Sequence, residues 1–312
     1  MKILVTGALG HIGSAVIRKL PIAIDTIDGI VMIDNLSTQR FSSLYNLDSE
    51  KYTFVEGDIR TLDLDHYVNQ VDYVIHLAAI TDAAGSFGNA HEVESNNYVC
   101  TEVIAKSCLK NNVKLITLSS TSVYGTQAEV VDEDCSLDDL NPQSPYAETK
   151  LKEERLIQEL HKDGLQAVCC RFGTIYGESI GMRFHTAVNK FCWQAAFGDP
   201  ITVWSSAYDQ KRPYLDLNDA IRSFEHIIAK DLFDGEIYNV LTENLTVRDV
   251  VDEIKVFAPA LSVEFVDSPI MNQLSYDVSN EKFKKTGFEF QGSIHGGVKG
   301  TMLKLPKNES CE

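Results

Sequence analysis

Lys2-Ile3-Leu4-Val5-Thr6-Gly7-Ala8-Leu9-Gly10-His11-Ile12-Gly13 is the stretch on which the reading of this chain turns. An apolar run passes directly into glycines spaced Gly-x-x-Gly-x-x-Gly, and a helical pattern follows. A strand that bends sharply into a helix needs glycine where a Cβ would block the turn, and bare backbone lets a pyrophosphate approach closely. The helix that starts there presents its N–H groups to negative charge. The spacing is not the Gly-x-Gly-x-x-Gly of other dinucleotide folds. Its position after the first strand is what gives it weight. Gly7, Gly10, His11, Ile12 and Gly13 are therefore the first candidate cofactor contacts.

Working outward, short apolar runs alternate with helical stretches. Strands are expected at 2–6, 30–34, 53–56, 72–78, 114–119 and 166–172, and helices near 12–20, 61–70, 92–111 and 146–163. Several runs, such as Tyr73-Val74-Ile75-His76-Leu77-Ala78-Ala79, are almost continuously apolar, as in strands covered on both faces. Alternating βα units imply an α/β fold with a doubly wound, Rossmann-type parallel sheet. Ligands in such sheets sit at the carboxyl ends of the strands, where Gly7, Asp34, Asp58, Ala79 and Ser120 fall. Asp34, closing the second strand, can bind both ribose hydroxyls and repels a 2′-phosphate, which points to NAD rather than NADP. Arg40 nearby weakens that preference slightly. Asp58 is either an acceptor for an adenine amino group or a helix cap.

The second half begins a different pattern. Helices are expected at 184–197 and 217–230, an apolar run at 201–204, and a strand at 236–240. Thr246-x-x-Asp249 has the form of a capping box opening a helix that runs to about residue 257. The expected division is a cofactor-binding domain over 1–173, with 213–240 packing back on it, and a smaller C-terminal α/β substrate-binding lobe over 174–212 and 241–312.

Tyr146 and Lys150, in Ser144-Pro145-Tyr146-Ala147-Glu148-Thr149-Lys150, share one helix face. An ammonium beside a phenol stabilises the phenolate and is expected to lower its pKa toward neutrality. Such a phenol takes a proton from an alcohol while a nicotinamide takes the hydride. Alone, this spacing occurs in many helices as a surface pair. The glycine turn upstream and the hydroxyl-rich Leu118-Ser119-Ser120-Thr121-Ser122-Val123-Tyr124-Gly125 between them make it a catalytic candidate.

Composition narrows the partners. A net charge of −17 over 312 residues argues against a nucleic-acid backbone or an anionic membrane surface, and fits simple solubility. No apolar run approaches the ~20 residues of a membrane span. Seven cysteines (Cys100, Cys108, Cys135, Cys169, Cys170, Cys192 and Cys311) make an odd number with no Cys-x-x-Cys spacing. They imply a reducing compartment. With the chain opening directly on a strand and no signal peptide before it, a cytoplasmic location is expected. His76 and His11 have no sequence partners that suggest a metal or a triad. Trp193 and Trp204 read as core or lid packing, with Trp204 also able to border a base.

Taken together, Thr6–Gly13, Asp34-Asn35-Leu36, Gly57-Asp58-Ile59, His76-Leu77-Ala78-Ala79, Ser119–Gly125, Tyr146–Lys150 and Arg171-Phe172-Gly173-Thr174-Ile175-Tyr176-Gly177 resemble the extended short-chain dehydrogenase/reductases. Within these the chain is similar to the nucleotide-sugar epimerase/dehydratase group, including UDP-glucose 4-epimerase-like members. The resemblance covers nearly the whole chain. It implies NAD held by the glycine turn, Asp34, Asn35, Asp58, Ile59, Leu77, Ala78 and Ala79, together with Tyr146 and Lys150. It implies Ser120 as the catalytic hydroxyl, with Thr121 as the neighbouring alternative, and Tyr146 as the base at a sugar hydroxyl, most often C4.

The resemblance also implies substrate contacts at Thr121, Thr174, Asn189 and Arg212. Asn189 lies in the lid-like Gly181–Asn189 stretch as a diphosphate donor, and Arg212 is a diphosphate grip unless it forms a surface ion pair. For Arg183 a surface ion pair is an equal alternative. Two departures matter. Dehydrating members usually carry Asp-Glu after the catalytic Thr, where this chain has Thr121-Ser122, which disfavours a 4,6-dehydratase. Many 4-epimerases carry Asn where this chain has Thr174, so UDP-galactose/UDP-glucose is not assumed. A homodimer through 92–111 and 146–163 is implied, with Val103, Leu109, Leu151 and Leu156 as apolar positions that sheet packing also explains. A net 4-dehydrogenase or ketosugar reductase, and a non-catalytic NAD-binding sensor, are the competing readings.

Overall fold

A computed structural model of the chain describes residues 1–81, 85–125, 130–136, 140–267 and 275–306. Cys311 lies outside the described residues. In chain order the elements are β1 (Lys2–Thr6), α1 (His11–Ala23), β2 (Gly29–Asp34), β3 (Tyr52–Glu56), α2 (Leu64–Val68), β4 (Tyr73–His76), α3 (Ala90–Asn111) and β5 (Lys114–Ser120). Then come β6 (Val130–Val131), α4 (Pro145–Lys162), β7 (Ala167–Phe172), β8 (Thr174–Tyr176), α5 (Ala187–Phe197), β9 (Ile201–Trp204), β10 (Lys211–Asp216), α6 (Leu217–Lys230) and β11 (Asp234–Val240). The chain continues with β12 (Glu243–Thr246), α7 (Val247–Phe257), β13 (Val263–Val266), β14 (Asp277–Val278), α8 (Glu281–Lys285) and α9 (Ile294–Lys304).

The main sheet has seven parallel strands in the order β11-β7-β5-β4-β1-β2-β3. Alternate residues of β1 face opposite layers. Ile3 and Val5 pack with Val16, Ile17 and Leu20 of α1 and with Ile221, Phe224 and Ile227 of α6. Leu4 packs with Leu64 of α2, Ile104 and Cys108 of α3, and Ile157 of α4. Both faces are thus buried, as the apolar runs require. The chain order reverses between β1 and β4, so this end of the sheet opens a crevice.

The expected strand at 72–78 stops at His76, because the next two amides, Leu77 and Ala78, turn to the Thr6 hydroxyl (3.1 and 3.3 Å). The expected helix at 61–70 shrinks to Leu64–Val68, since a tight turn on the Asp58 carbonyl takes up Thr61 and Leu62. The helix expected from 184 begins at Ala187. Thr246 and Asp249 form the capping box of α7 reciprocally.

The smaller layer combines β8, β10 and β12 in one sheet, β9 with β13 in another, and α5, α7 and α9 around a separate core of Val188, Phe191, Val203, Val250 and Ile254. Segment 213–240 divides between the layers: β10 belongs to the small sheet, whereas β11 extends the large one beside β7.

One buried ion pair ties α4 to the middle of the sheet. Arg171 on β7 donates Nε and Nη2 to the two carboxylate oxygens of Glu154 (2.8 and 2.7 Å) and Nη1 to the Tyr124 hydroxyl (2.8 Å). Arg171 and Glu154 are each 2% exposed. Breaking one side of such a pair strands a charge in the core. Glu154→Ala is expected to lower the unfolding free energy by about 3–5 kcal/mol, read as a shifted midpoint in urea unfolding.

Candidate active site

A cavity of about 630 Å³ runs along the carboxyl ends of the strands. Its wall takes Gly7, Gly10, His11, Ile12 and Gly13 from the turn, Asp34 and Asn35 after β2, Asp58 and Ile59 after β3, and Leu77, Ala78 and Ala79 after β4. Ser120, Thr121, Tyr146, Lys150, Thr174 and Arg212 complete it. Of the catalytic, cofactor and substrate contacts expected from sequence, all but Asn189 are brought to this one surface.

The nucleotide end is built by close backbone approach. Gly7 has φ +62°, and a Cβ there would lie 2.7 Å from the Ala78 nitrogen. A Cβ on Gly13 would lie 2.3 Å from the Gly7 carbonyl oxygen. No side chain caps α1 at Gly10 and no acid occupies its first turn, which leaves that helix end to an incoming anion. The Asp34 carboxylate accepts from the Leu9 amide (3.1 Å) and the Leu36 amide (3.0 Å), which fixes its orientation at the cavity wall. The Asp58 carboxylate accepts from the Arg60 amide and guanidinium (both 2.9 Å). It caps no helix, since Asp63 precedes α2. Its carboxyl is held below the usual range chiefly by the Arg60 hydrogen bond.

The smaller layer reaches over this turn. Gly181 donates its amide to Ser14 Oγ (2.9 Å), and its carbonyl accepts from the Arg40 guanidinium. His11 Nδ1 meets Ser179 Oγ at 2.8 Å. Burial, then the charge of Arg40, pushes His11 down to about 3, so the ring is neutral at pH 7. Its Nε2 is buried without a hydrogen-bond partner among the described residues. Arg40 is itself pushed down to about 10 by burial and by Arg183. Arg40 thus closes the turn through a carbonyl.

At the other end, Ser144 caps α4 by accepting from the Ala147 amide (3.2 Å), which sets the helix register. Tyr146 then lines the cavity beside Ser120, which favours the ionised phenol. Ser120 Oγ also accepts from Ser122 Oγ (2.9 Å). Lys150 Nζ sits 5.9 Å from the centre of the Tyr146 ring and donates to the Leu118 carbonyl (3.0 Å) and to Glu153 Oε2 (2.9 Å). Thr121 is turned inward, donating to the Phe172 carbonyl (3.3 Å). His76 meets Thr6 Oγ1 (2.7 Å) and is pushed to about 3 by burial and Lys150, so it is neutral too. Among the described residues no group of three His, Cys, Asp or Glu is placed to hold a metal.

Three expectations change. The Tyr146 phenol is raised, not lowered: burial dominates, and Glu153 adds to it, while Lys150, Ser120 and Arg183 pull the other way without overcoming it. Asn189 is fully buried, accepting from the Gly177 amide (3.2 Å) and donating to the Arg183 carbonyl (3.3 Å). It shapes the lid from within and does not face the cavity. Trp193 and Trp204 are 39% and 43% exposed. Neither is core or lines the cavity, and Trp193 takes the lid alternative, packing on Phe184 of the 181–189 stretch. Trp193 stacks between Phe184 and Phe197.

Arg183 does line the cavity and donates to Thr81 (2.8 Å). Arg212 lines it as well, bonded to Gln210 Oε1 (2.5 Å), with its pKa lowered by burial. Sequence reasoning missed Ser14, Ser179 and Glu153. Only Glu153 carried a signal, as a charge three residues after Lys150. Cys100, Cys108, Cys169, Cys170 and Cys192 are buried free thiols, and Cys135 is partly exposed.

A parallel sheet, a glycine turn and a tyrosine–lysine pair in one crevice define a dinucleotide-dependent enzyme of the short-chain dehydrogenase/reductase class. The chain belongs to the NAD dependent epimerase/dehydratase family, whose model matches residues 3–240. It is 32% identical over 324 residues to the trifunctional UDP-glucose 4,6-dehydratase/UDP-4-keto-6-deoxy-D-glucose 3,5-epimerase/UDP-4-keto-L-rhamnose-reductase of Arabidopsis thaliana, covering 96% of this chain and 46% of that one. The chain thus spans about half the length of such relatives. It is 31% identical over 251 residues to an uncharacterized UDP-glucose epimerase of Bacillus subtilis, covering 77% of this chain and 76% of that one. Among solved structures, the UDP-glucuronic acid 4-epimerase of Bacillus cereus, in complex with UDP-glucuronic acid and NAD, superposes with TM-score 0.86 at 27% identity, over 98% of this chain and 99% of that one.

NAD, the cofactor of the family, suits the nucleotide end on this chain's own geometry: a cradle that a Cβ would fill, an uncapped helix start and an acid at the end of β2. A Cβ on Gly181 would lie 2.3 Å from the Leu9 carbonyl oxygen and 2.5 Å from that of Gly10. Gly181→Ala is expected to push the lid off the turn and weaken NAD binding by about tenfold, or roughly 1.4 kcal/mol, while the protein stays folded. Calorimetric titration with NAD checks this.

Proposed function

We propose that this chain is an NAD-dependent epimerase of a nucleotide-activated sugar, acting at C4 through a transient 4-keto intermediate. The observation that carries the reading is the polarity of the cavity. Ser120, Tyr146 and Lys150 meet at one end. Among the described residues, the carboxylates that line it, Asp34, Asp58 and Glu92, belong to the nucleotide end, Glu92 acting on Arg60. Expelling a C6 hydroxyl requires an acid beside the sugar. Thr121 and Ser122 follow Ser120 where the family resemblance leads one to expect Asp-Glu in a dehydratase, so the dehydratase activity in the names of some relatives is not transferred.

Bound NAD supplies a hydride acceptor that later returns the hydride. The chain's own residues do the rest. Tyr146 as phenolate removes the proton of the C4 hydroxyl and gives it back on reduction. Ser120 orients the reacting oxygen. Lys150 favours the phenolate and binds the nicotinamide ribose. Arg212, with Arg183, faces the substrate diphosphate, and Thr174 the sugar nucleotide. The UDP-glucuronic acid held by the Bacillus cereus relative supports a nucleoside-diphosphate hexose as the substrate class. A net 4-dehydrogenase or ketosugar reductase would use the same residues and differ in releasing altered cofactor.

We read 1–173 with most of 213–240 as the NAD-binding unit and the remainder as the substrate lobe. β11 beside β7 supports this, and β10 marks its blurred edge. Among the described residues no helix is long and apolar enough to cross a membrane. That and the buried free cysteines support a cytoplasmic enzyme. The partly buried Val103, Leu109 and Leu156 leave apolar surface on α3 and α4 for a homodimer, whereas Leu151 is 7% exposed and packs inside its own chain. A light-scattering mass near one chain would remove the dimer.

Proton NMR with UDP-, GDP-, dTDP- and CDP-sugars decides the activity. A new epimer without accumulating reduced nicotinamide is expected. A keto-sugar with reduced cofactor would instead establish the dehydrogenase, and a 4-keto-6-deoxy sugar the dehydratase. Tyr146→Phe is expected to lower kcat by roughly 10²–10⁴-fold with nucleotide-sugar binding retained. Full turnover in that variant would sink the mechanism.

A further inference from the structure

Tyr146, Lys150 and Glu153 stand at i, i+4 and i+7 on α4, one continuous stripe of the helix. The stripe faces inward. Lys150 is 5% and Glu153 4% exposed. Glu153 Oε2 accepts from Lys150 Nζ (2.9 Å) and from Thr101 Oγ1 of α3 (2.8 Å). Its other oxygen, Oε1, is buried and has no hydrogen-bond partner among the described residues. The adjacent Glu154 is held differently, with both oxygens on one guanidinium. A carboxylate kept only for packing is best satisfied on both oxygens. Glu153 instead keeps a half-satisfied anion directly behind the lysine that faces the phenol.

We infer that Glu153 is a positioning residue that clamps Lys150 against the Leu118 carbonyl and sets the acidity of Tyr146. With Leu118 and Glu153 taking one N–H each, the ammonium has a third to offer the cavity. The anion also offsets part of the positive field at the phenol, so that Tyr146 keeps its proton to a higher pH than a lone lysine would allow. For a group that must return a proton as well as take one, this keeps the protonated form accessible.

The other charged and titratable groups around the cluster do not substitute for it. On β4, His76 is neutral, pushed to about 3 by burial and Lys150. On α3, Cys100 is pushed up to about 12 by burial and then by Asp58, with Arg60 opposing. On β7, Cys169 is pushed up to about 12 by burial and Glu154, with Arg171 opposing. Arg183, from the lid, favours the phenolate. Glu153 is the anion that acts on both Tyr146 and Lys150.

The inference rests on Tyr146 as the base, and the test separates the two. Ultraviolet titration of tyrosinate, with the Tyr146→Phe protein subtracted, reports Tyr146 without turnover. Glu153→Gln keeps an acceptor for Lys150 and Thr101 but removes the charge. The midpoint is expected to fall by about one pH unit, roughly a tenfold gain in phenolate below it, and the alkaline rise of kcat to fall with it. Glu153→Asp, which keeps the charge, is expected to keep the parent midpoint. If the Gln protein does not fold, Glu153→Met removes the same charge without a polar group to bury and is read in the same way. An unmoved or raised midpoint on loss of the charge overturns the inference, as does an Asp midpoint that follows the Gln one. Turnover surviving Tyr146→Phe would instead overturn the base, while the titration still decides Glu153.

Discussion

The site depends on how the Thr6 side chain joins two strand ends. Its hydroxyl meets His76 Nδ1 and the amides of Leu77 and Ala78, so β1 and β4 end together and the chain after β4 is drawn against Gly7. Gly7 is then left with no room for a side chain, and its left-handed backbone sends the chain toward α1. The crevice between β1 and β4 is therefore a consequence of strand order and one hydroxyl. Everything that binds at the nucleotide end is referred to that point.

The smaller layer is coupled to the same turn by polar contacts. Ser14, His11 and Arg40 come from the first units of the sheet, and they hold Gly181 and Ser179 of the lid. These partners are short or planar, and glycine at 181 is what lets two carbonyls come so close. His11 is kept neutral by burial, so it contributes a hydrogen bond to the lid and no charge to a site that must accept a pyrophosphate beside several arginines. Inside the lid, Asn189 does for the 177–183 loop what a backbone ladder would do in a sheet. It satisfies one amide and one carbonyl across the turn, so its side chain is spent before any ligand arrives.

The sheet was legible from sequence because both its faces are buried, so its strands read as apolar runs whose ends carry the chemistry. Glycine spacing and the Thr246–Asp249 capping box were legible for the same reason: each is a local steric or hydrogen-bond rule. What sequence could not give was direction. Asn189 and Arg183 lie in one segment, and only the folded lid shows that the first points into its own loop and the second into the cavity. Trp193 and Trp204 have the bulk of core residues, yet the edge elements that carry them leave one face uncovered. The phenol of Tyr146 reads as acidified from the Tyr–Lys pair alone. That reading omits burial, which outweighs a single nearby charge.

Glu153 and Glu154 show how far this omission reaches. In sequence they are two adjacent acids on a helix rich in charge, and a solvated face is the ordinary interpretation. In the fold both are buried, and they turn to different neighbours. Glu154 meets Arg171 in a two-point pair that fixes α4 on the sheet, where loss of either partner strands a charge. Glu153 meets a lysine through one oxygen only. The first arrangement holds the helix in place. The second places a fixed negative charge seven residues, two helical turns, behind the phenol. If Tyr146 is the base proposed above, α4 needs both, because the acidity of Tyr146 is set by groups whose distances are fixed only while α4 cannot shift along β5 and β7.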